Sequence, residues 1–339
     1  MWNKEKASLP YAKRNLSLQH KRATTKTMSK FINPFTDYGF KLIFGREVSK
    51  NLLIEFLNDL LEGERVITDL TFLNNEQLPD YPEGRGIIYD VYCTTDTGEK
   101  IIVEMQNRMQ SNFKERSIFY LSRAIVNQGR TGHDWKFEIK AVYGVFLMNF
   151  IMDKNIKLRT DVILADKETG ELFSEKFRQI FIALPLFKKS EEECETNFER
   201  WIYILNNMET LKRLPFKARK AVFEKLEEIA DVASMSPKER ELYDNSVKVY
   251  RDYLVTMDAA EKEGIKKGME EGLKEGMKEG LKKGLEEGLE EGLKKGLKKG
   301  REEALNIFQT AIDMKKQGID SQLIAEKTGL PLSLIESLK

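Results

Sequence analysis

A chain of 339 residues, 41% hydrophobic and 33% charged, is large enough for one sizeable domain plus appendages, or for two domains, and is charged enough to predict a highly solvated segment. Its net charge of +1 excludes a uniformly basic protein, so any surface for DNA has to be local. The two cysteines, Cys93 and Cys194, and the two histidines, His20 and His133, exclude a disulfide framework, a CxxC zinc site and an HExxH site. No apolar run reaches the ~20 residues of a membrane span and no signal-peptide core opens the chain, which predicts a cytoplasmic protein without a membrane partner.

Residues 1–30 form a basic extension, with Lys4, Lys6, Lys13, Arg14, Lys21, Arg22, Lys26 and Lys30 against Glu5. It reads as a disordered tail or as an arm touching nucleic acid, and Met28 is an alternative start. Residues 37–62 are predicted as a helix opened by Thr36 or Asp37, because Val48, Leu52, Leu53, Phe56, Leu57, Leu60 and Leu61 recur at three- and four-residue spacing. Residues 65–74 alternate as a strand. Two further alternating runs follow across a turn at residues 96–98. Helical spacing returns over 113–128 through Phe113, Ile118, Leu121, Ile125 and Val126. Strands are expected over 138–150, 159–165 and 179–187, with His133 and Trp135 in a structural loop. This order predicts an α/β fold with a mixed sheet over residues 31–190.

Residues 191–260 read as a helical region, with helices over 196–210, 216–231 and 237–260. Residues 261–304 then carry glycine at every fourth position from Gly264 to Gly300, most followed by Ile, Met or Leu, with Lys and Glu filling the rest. Each interior glycine costs a helix about 1 kcal/mol relative to alanine. The apolar stripe also drifts ~40° around the helix per repeat. The segment is therefore either a helical arm that assembles homo-oligomers or a disordered spacer. Residues 305–339 end in a helical hairpin, with Ser321 as first cap and Gly329 in the turn.

The chemistry concentrates in 87-IIYDVYCTTDTGEKIIVEMQNR-108. With Asp96, Thr97 and Gly98 as a three-residue loop, Asp90 falls opposite Glu104. Cross-strand partners share a face, and Gln106 shares it too, two residues on. Opposed carboxylates repel unless a hard cation sits between them, and Mg²⁺ is typically held by one or two carboxylates plus water and phosphate. The alternative is a solvated sheet face.

Three stretches, "NPFTDYGFKLIFG" (33–45), "DVYCTTDTGEKIIVEMQ" (90–106) and "FKERSIFY" (113–120), resemble the PD-(D/E)XK nuclease family transposases, also called the recombination-promoting nuclease (Rpn) family. The resemblance implies a restriction-endonuclease-like mixed sheet flanked by helices. It assigns Asp90 and Glu104 as metal ligands, with the carbonyl of Met105 as a further ligand. Tyr89 stands where the motif has Pro, and Gln106 where the superfamily usually has Lys. A glutamine orients a water but brings no positive charge. Lys41 and Arg116 are the candidate cations that replace it, each equally suited to a surface salt bridge. Asp37 is either a third acid or a helix cap. The expected function is a metal-dependent DNA endonuclease using Mg²⁺ or Mn²⁺, linked to recombination or mobile-element activity. The competing expectation is a catalytically degenerate nuclease fold that binds DNA or protein as an oligomer. RNA shares the same phosphodiester chemistry.

Overall fold

The computed structural model describes residues 29–78, 85–130, 132, 135–216 and 220–338. The first 28 residues and His133 lie outside these, and with them most of the basic extension. The chain divides into two compact units between Thr256 and Met257.

In the first unit the helix expected over 37–62 is two helices, α1 (Asp37–Phe44) and α2 (Lys50–Leu60), joined by a 3-10 turn. The break falls after Gly45, where Arg46 turns extended. Val48, placed in the apolar stripe by its spacing, lies in that turn and is 59% exposed. Thr36, rather than Asp37, caps α1: its hydroxyl accepts from the Gly39 amide at 3.0 Å. The turn Gly63, with φ at +78°, follows the end of α2.

The strands are β1 (Leu70–Phe72), β2 (Glu76–Gln77), β3 (Ile87–Ile88), β4 (Val91–Thr95), β5 (Lys100–Gln106), β6 (Val142–Met148), β7 (Arg159–Ala165) and β8 (Leu172–Ala183). Six form one mixed sheet in the order β1-β4-β5-β6-β8-β7; β2 and β3 form a separate pair. β5, β6 and β8 run parallel at its centre, and the edges are antiparallel. The strand expected over 65–74 shrinks to three residues, while β8 begins seven residues before its expected start at 179.

Both faces of the sheet are covered. Cys93, Ile101, Val103, Val145 and Ile182 face a core shared with α1, α2, α4 (Asn197–Asn207) and α5 (Val222–Ala230). Trp201 is fully buried there among Phe44, Phe56 and Phe223. Residues on either side of 190 thus share one core, and Phe31 bridges to Asp231 beyond α5. Tyr92, Ile102, Phe146 and Phe181 face the other way, against α3 (Phe113–Val126). α3 presses Phe113, Ser117, Leu121 and Ala124 inward, leaving Ile118 and Val126 exposed. Gln179 on β8 donates to the Ser117 hydroxyl at 2.8 Å and pins the helix to the sheet.

The helix α6 (Pro237–Lys316) begins in the first unit, where Tyr243, Val247 and Tyr250 join the core, and continues through the glycine repeat. Within the second unit the repeat is helical, and a Cβ added at any glycine from Gly264 to Gly300 would meet nothing within 4 Å. The terminal hairpin is α7 (Ser321–Thr328) and α8 (Leu332–Ser337), packed on the end of α6 around Ala311, Ile324 and Ile335. Gly329 makes the turn at φ +70°, as expected. The first cap is Asp320, not Ser321: its carboxylate accepts from the Gln322 amide at 3.0 Å.

Candidate active site

The β4–β5 hairpin has the register its turn predicts. Val91 pairs with Val103 and Thr94 with Lys100. Gly98 closes the loop at φ +91°, donating to the Thr95 carbonyl at 3.0 Å. Asp90 directly precedes β4 and meets Glu104 across the ladder. The Asp90 amide donates to Glu104 Oε1 at 3.1 Å, and the Met105 amide donates to Asp90 Oδ2 at 2.8 Å. Each carboxylate thus caps the other strand's backbone. A residue's amide and carbonyl point to the same edge of a strand. The Met105 carbonyl therefore points to the edge its amide shares with Asp90, one residue past the end of β4.

Glu104 is taken out of water on the α3 face, with Asp90 partly buried beside it. Glu104 is 3% exposed and lies between Ile102 and Gln106 on that face. Burial pushes the Asp90 carboxyl up to about 6, with Lys41 and Arg116 pulling it down and Asp37 opposing them. Burial first, and then the negative charge of Asp90, holds Glu104 well above the usual carboxylate range. Tyr89 is also pushed up by burial; its hydroxyl donates to the Tyr120 carbonyl at 3.0 Å, tying the strand entrance to α3. Asn75 holds the peptide from outside, its Nδ2 donating to the Asp90 carbonyl at 3.0 Å.

Gln106 completes a chain of bonds. Its Nε2 donates to Glu104 Oε2 at 2.8 Å, and its Oε1 accepts from Arg116 Nη2. Arginine only donates and a carboxylate only accepts, so the amide has one orientation that satisfies both. Arg116 Nη1 also donates to Gln110 Oε1 at 2.7 Å, and its guanidinium lies over the Phe113 and Tyr120 rings. Of the two cations expected here, Arg116 reaches the site directly. Lys41 instead pairs with Asp37 at 2.7 Å, one helical turn apart. Asp37 is 66% exposed at its side chain. Both act on Asp90 only through their fields.

The strand end also gathers residues that spacing did not single out. Asn107 donates from Nδ2 to the Phe35 carbonyl at 2.7 Å, and its own carbonyl accepts from the Tyr253 hydroxyl at 3.0 Å. Arg108 is exposed, with its guanidinium 4.3 Å from the Tyr253 ring centre. A cavity of about 170 Å³ lies here, lined by Phe35, Asp37, Asn107, Arg108, Tyr250 and Tyr253. The one available signal was the tyrosine spacing on α6. A separate cavity of about 220 Å³, lined by Arg65, Tyr143 and Arg178, sits at the other end of the strands.

Among the described residues no group of three or more His, Cys, Asp or Glu gathers as a metal site. The donors at hand are two adjoining carboxylates and a strand-edge carbonyl. Two adjoining acids, each raised by burial and Glu104 raised further by the charge of Asp90, are a donor set suited to a hard divalent cation completed by water.

The sequence model of the PD-(D/E)XK nuclease family transposases matches residues 34–260. The chain belongs to this family. The match runs from the cap of α1 into α6, so it takes in the hairpin, α3 and the helices that share their core. Membership carries a nuclease-type domain with DNA as the implied substrate, and PD-(D/E)XK nucleases generally use divalent metal ions. The six-stranded mixed sheet flanked by helices agrees with the restriction-endonuclease-like fold. No helix among the described residues is long and apolar enough to cross a membrane. Comparison with curated proteins and with solved structures found no match.

Proposed function

We propose that this chain is a Mg²⁺-dependent DNA endonuclease of the PD-(D/E)XK type, acting in recombination or mobile-element movement. The observation that carries this reading is the desolvated Asp90–Glu104 pair, joined through Gln106 to the guanidinium of Arg116. Asp90, Glu104 and the Met105 carbonyl would hold the cation. When bound, such an ion supplies Lewis acidity at a phosphate and lowers the pKa of a water.

The protein's own groups divide the remaining work. Glu104 is held in place by the Asp90 amide at one oxygen and the Gln106 amide at the other. The second hydrogen on Gln106 Nε2 is left to place a water. Arg116 brings the positive charge that Gln106 lacks, where negative charge grows on the phosphate. Arg108, stacked on Tyr253 and without a carboxylate partner among the described residues, offers its guanidinium edge to a DNA phosphate beside the site. Lys41 supplies background positive potential.

The test is plasmid cleavage by the full chain with Mg²⁺ or Mn²⁺, comparing wild type with Asp90→Ala and Glu104→Ala. Metal-dependent nicking by wild type, lost in both variants, is the expected result. A wild type that binds DNA without cutting it supports instead a degenerate nuclease fold used for binding. Cleavage of RNA in preference to DNA would reassign the substrate.

A further inference from the structure

The glycine repeat carries a charge order that one helix does not use. Each repeat from Gly264 onward has an apolar residue directly after the glycine and then two charged residues; Arg301 takes the apolar place in the last. The charged doublets are not interchangeable. Lys266/Lys267 and Glu270/Glu271 open the series, and Lys298/Lys299 and Glu302/Glu303 close it. Lys282/Lys283 and Glu286/Glu287 flank the centre between Gly284 and Leu285. Intrahelical pairs such as Lys283–Glu279 at 3.3 Å are highly exposed at both side chains and leave the doublets accessible. The apolar residues are open as well: Leu281 is 77% exposed and Leu285 67%. Nothing among the described residues lies over the glycines.

We propose that residues 264–303 pair antiparallel with the same segment of a second copy of this chain, about a two-fold axis between Gly284 and Leu285. That axis sets Lys266/Lys267 against Glu302/Glu303, Glu270/Glu271 against Lys298/Lys299, and Lys282/Lys283 against Glu286/Glu287. The mixed doublets Lys274/Glu275 and Lys278/Glu279 meet Lys294/Lys295 and Glu290/Glu291. No doublet then faces one wholly of its own sign. A shift of one repeat in one direction puts Lys266/Lys267 on Lys298/Lys299; in the other it puts Glu270/Glu271 on Glu302/Glu303. A parallel pair in register sets every doublet against itself. Each exposed ion pair is weak, so the charges choose orientation and register, and like-charge contacts penalise the alternatives.

Packing agrees with this arrangement. An apolar residue every fourth position is one of the i±4n ridges of a helix. Two such ridges interdigitate locally at a crossing of about −50°, so contact along forty residues requires the two helices to wrap around each other. A hydrophobic period longer than 3.6 residues drives a right-handed wrap, which keeps the drifting stripe on the partner. A glycine beside each ridge residue lets the two backbones approach closely. The segment's need for a partner follows from the same glycines, whose cost to the helix the exposed intrahelical ion pairs offset only in part.

The experiment uses the full chain. Sedimentation velocity of wild type is expected to show twice the chain mass. Lys282→Glu with Lys283→Glu places acids against acids at the centre and is expected to shift the protein to monomer, with part of the helical circular-dichroism signal lost as the repeat loses its partner. Adding Glu286→Lys and Glu287→Lys restores complementarity, and with it the dimer. Oxidative cross-linking reads the register. Gly284→Cys alone is expected to form a linked dimer. Lys266→Cys and Glu302→Cys are each expected to cross-link only when mixed with the other. A monomeric wild type, a charge-reversed protein that stays dimeric, or self-cross-linking of Lys266→Cys alone overturns the proposal.

Discussion

Arg116 donates to the side-chain oxygen of Gln106, and Gln106 in turn donates to Glu104 at 2.8 Å. A positive charge on α3 is thereby coupled to a carboxylate on β5 through an uncharged amide. Removing Arg116 deletes the charge and frees the amide. Arg116→Ala is expected to lower the metal-dependent nicking rate by about 100-fold, the usual scale for losing one transition-state donor. Mg²⁺ affinity by calorimetry should change far less, and Arg116→Lys should recover part of the rate. An Arg116→Ala variant that nicks at the wild-type rate would remove the residue from the mechanism.

The buried pair makes cation binding and stability depend on pH. With the Asp90 carboxyl raised to about 6 and Glu104 raised as well, the cation-free pair retains protons that a divalent ion must displace. Mg²⁺ affinity is expected to rise from pH 5 to pH 7. Calorimetry in two buffers of different ionisation enthalpy should show proton release near pH 6. Affinity that is flat over this range would contradict the burial argument.

The same shift has a sign for stability. An acid whose folded value lies above its unfolded value binds more protons when folded, so stability falls as pH rises from about 4 through about 6. Asp90→Asn removes the charge and keeps an oxygen for the Met105 amide. Without metal it is expected to be more stable than wild type at pH 7.5, by up to about 3 kcal/mol for a shift of about two units. The gap should close near pH 4. Matched urea midpoints at both pH values would count against it.

On the proposed reading, Arg108 holds a phosphate rather than reacting. In an Asp90→Asn background, Arg108→Ala should weaken DNA binding across all sequences alike. The slope of log K against log salt should fall by about 0.9, the loss of one phosphate contact on duplex DNA. An unchanged slope, measured by fluorescence anisotropy, would place Arg108 off the DNA path.

Gly39 lies inside α1, where alanine normally stabilises a helix by about 1 kcal/mol. Here an added Cβ would sit 2.2 Å from the Asn33 carbonyl oxygen. That oxygen also accepts from the Thr36 hydroxyl at 2.8 Å, so the backbone cannot yield without disturbing the cap. Gly39→Ala should therefore destabilise, by about 1–3 kcal/mol. A rise in the urea midpoint would show that the start of α1 is looser than its contacts indicate.

What was legible in the sequence was local. Period-two alternation and Gly98 in a three-residue loop set the β4–β5 register, and so the meeting of Asp90 and Glu104. The hairpin carries its own alignment, because turn length and alternation are properties of neighbouring residues. Gly329 and the terminal hairpin were readable for the same reason.

Elements whose limits depend on packing were not. The apolar spacing over 37–62 runs through a break at Gly45, because two helices on one core expose the same period as a single helix. Ile118 and Val126 fit the spacing of α3 yet face out, since the sheet takes the face of Ser117 and Leu121.

By itself, then, the sequence determined the pair of acids, their shared face with Gln106, and the charge order of the glycine repeat. Only the tertiary structure decided which cation reaches the pair. Lys41 and Arg116 are equivalent as residue types, but α3 packs across β6 and brings Arg116 onto Gln106, while α1 leaves Lys41 paired with Asp37. It also brought Tyr253 to Asn107 from 146 residues away. Such contacts are set by which helix face the core accepts, and no local pattern encodes that choice.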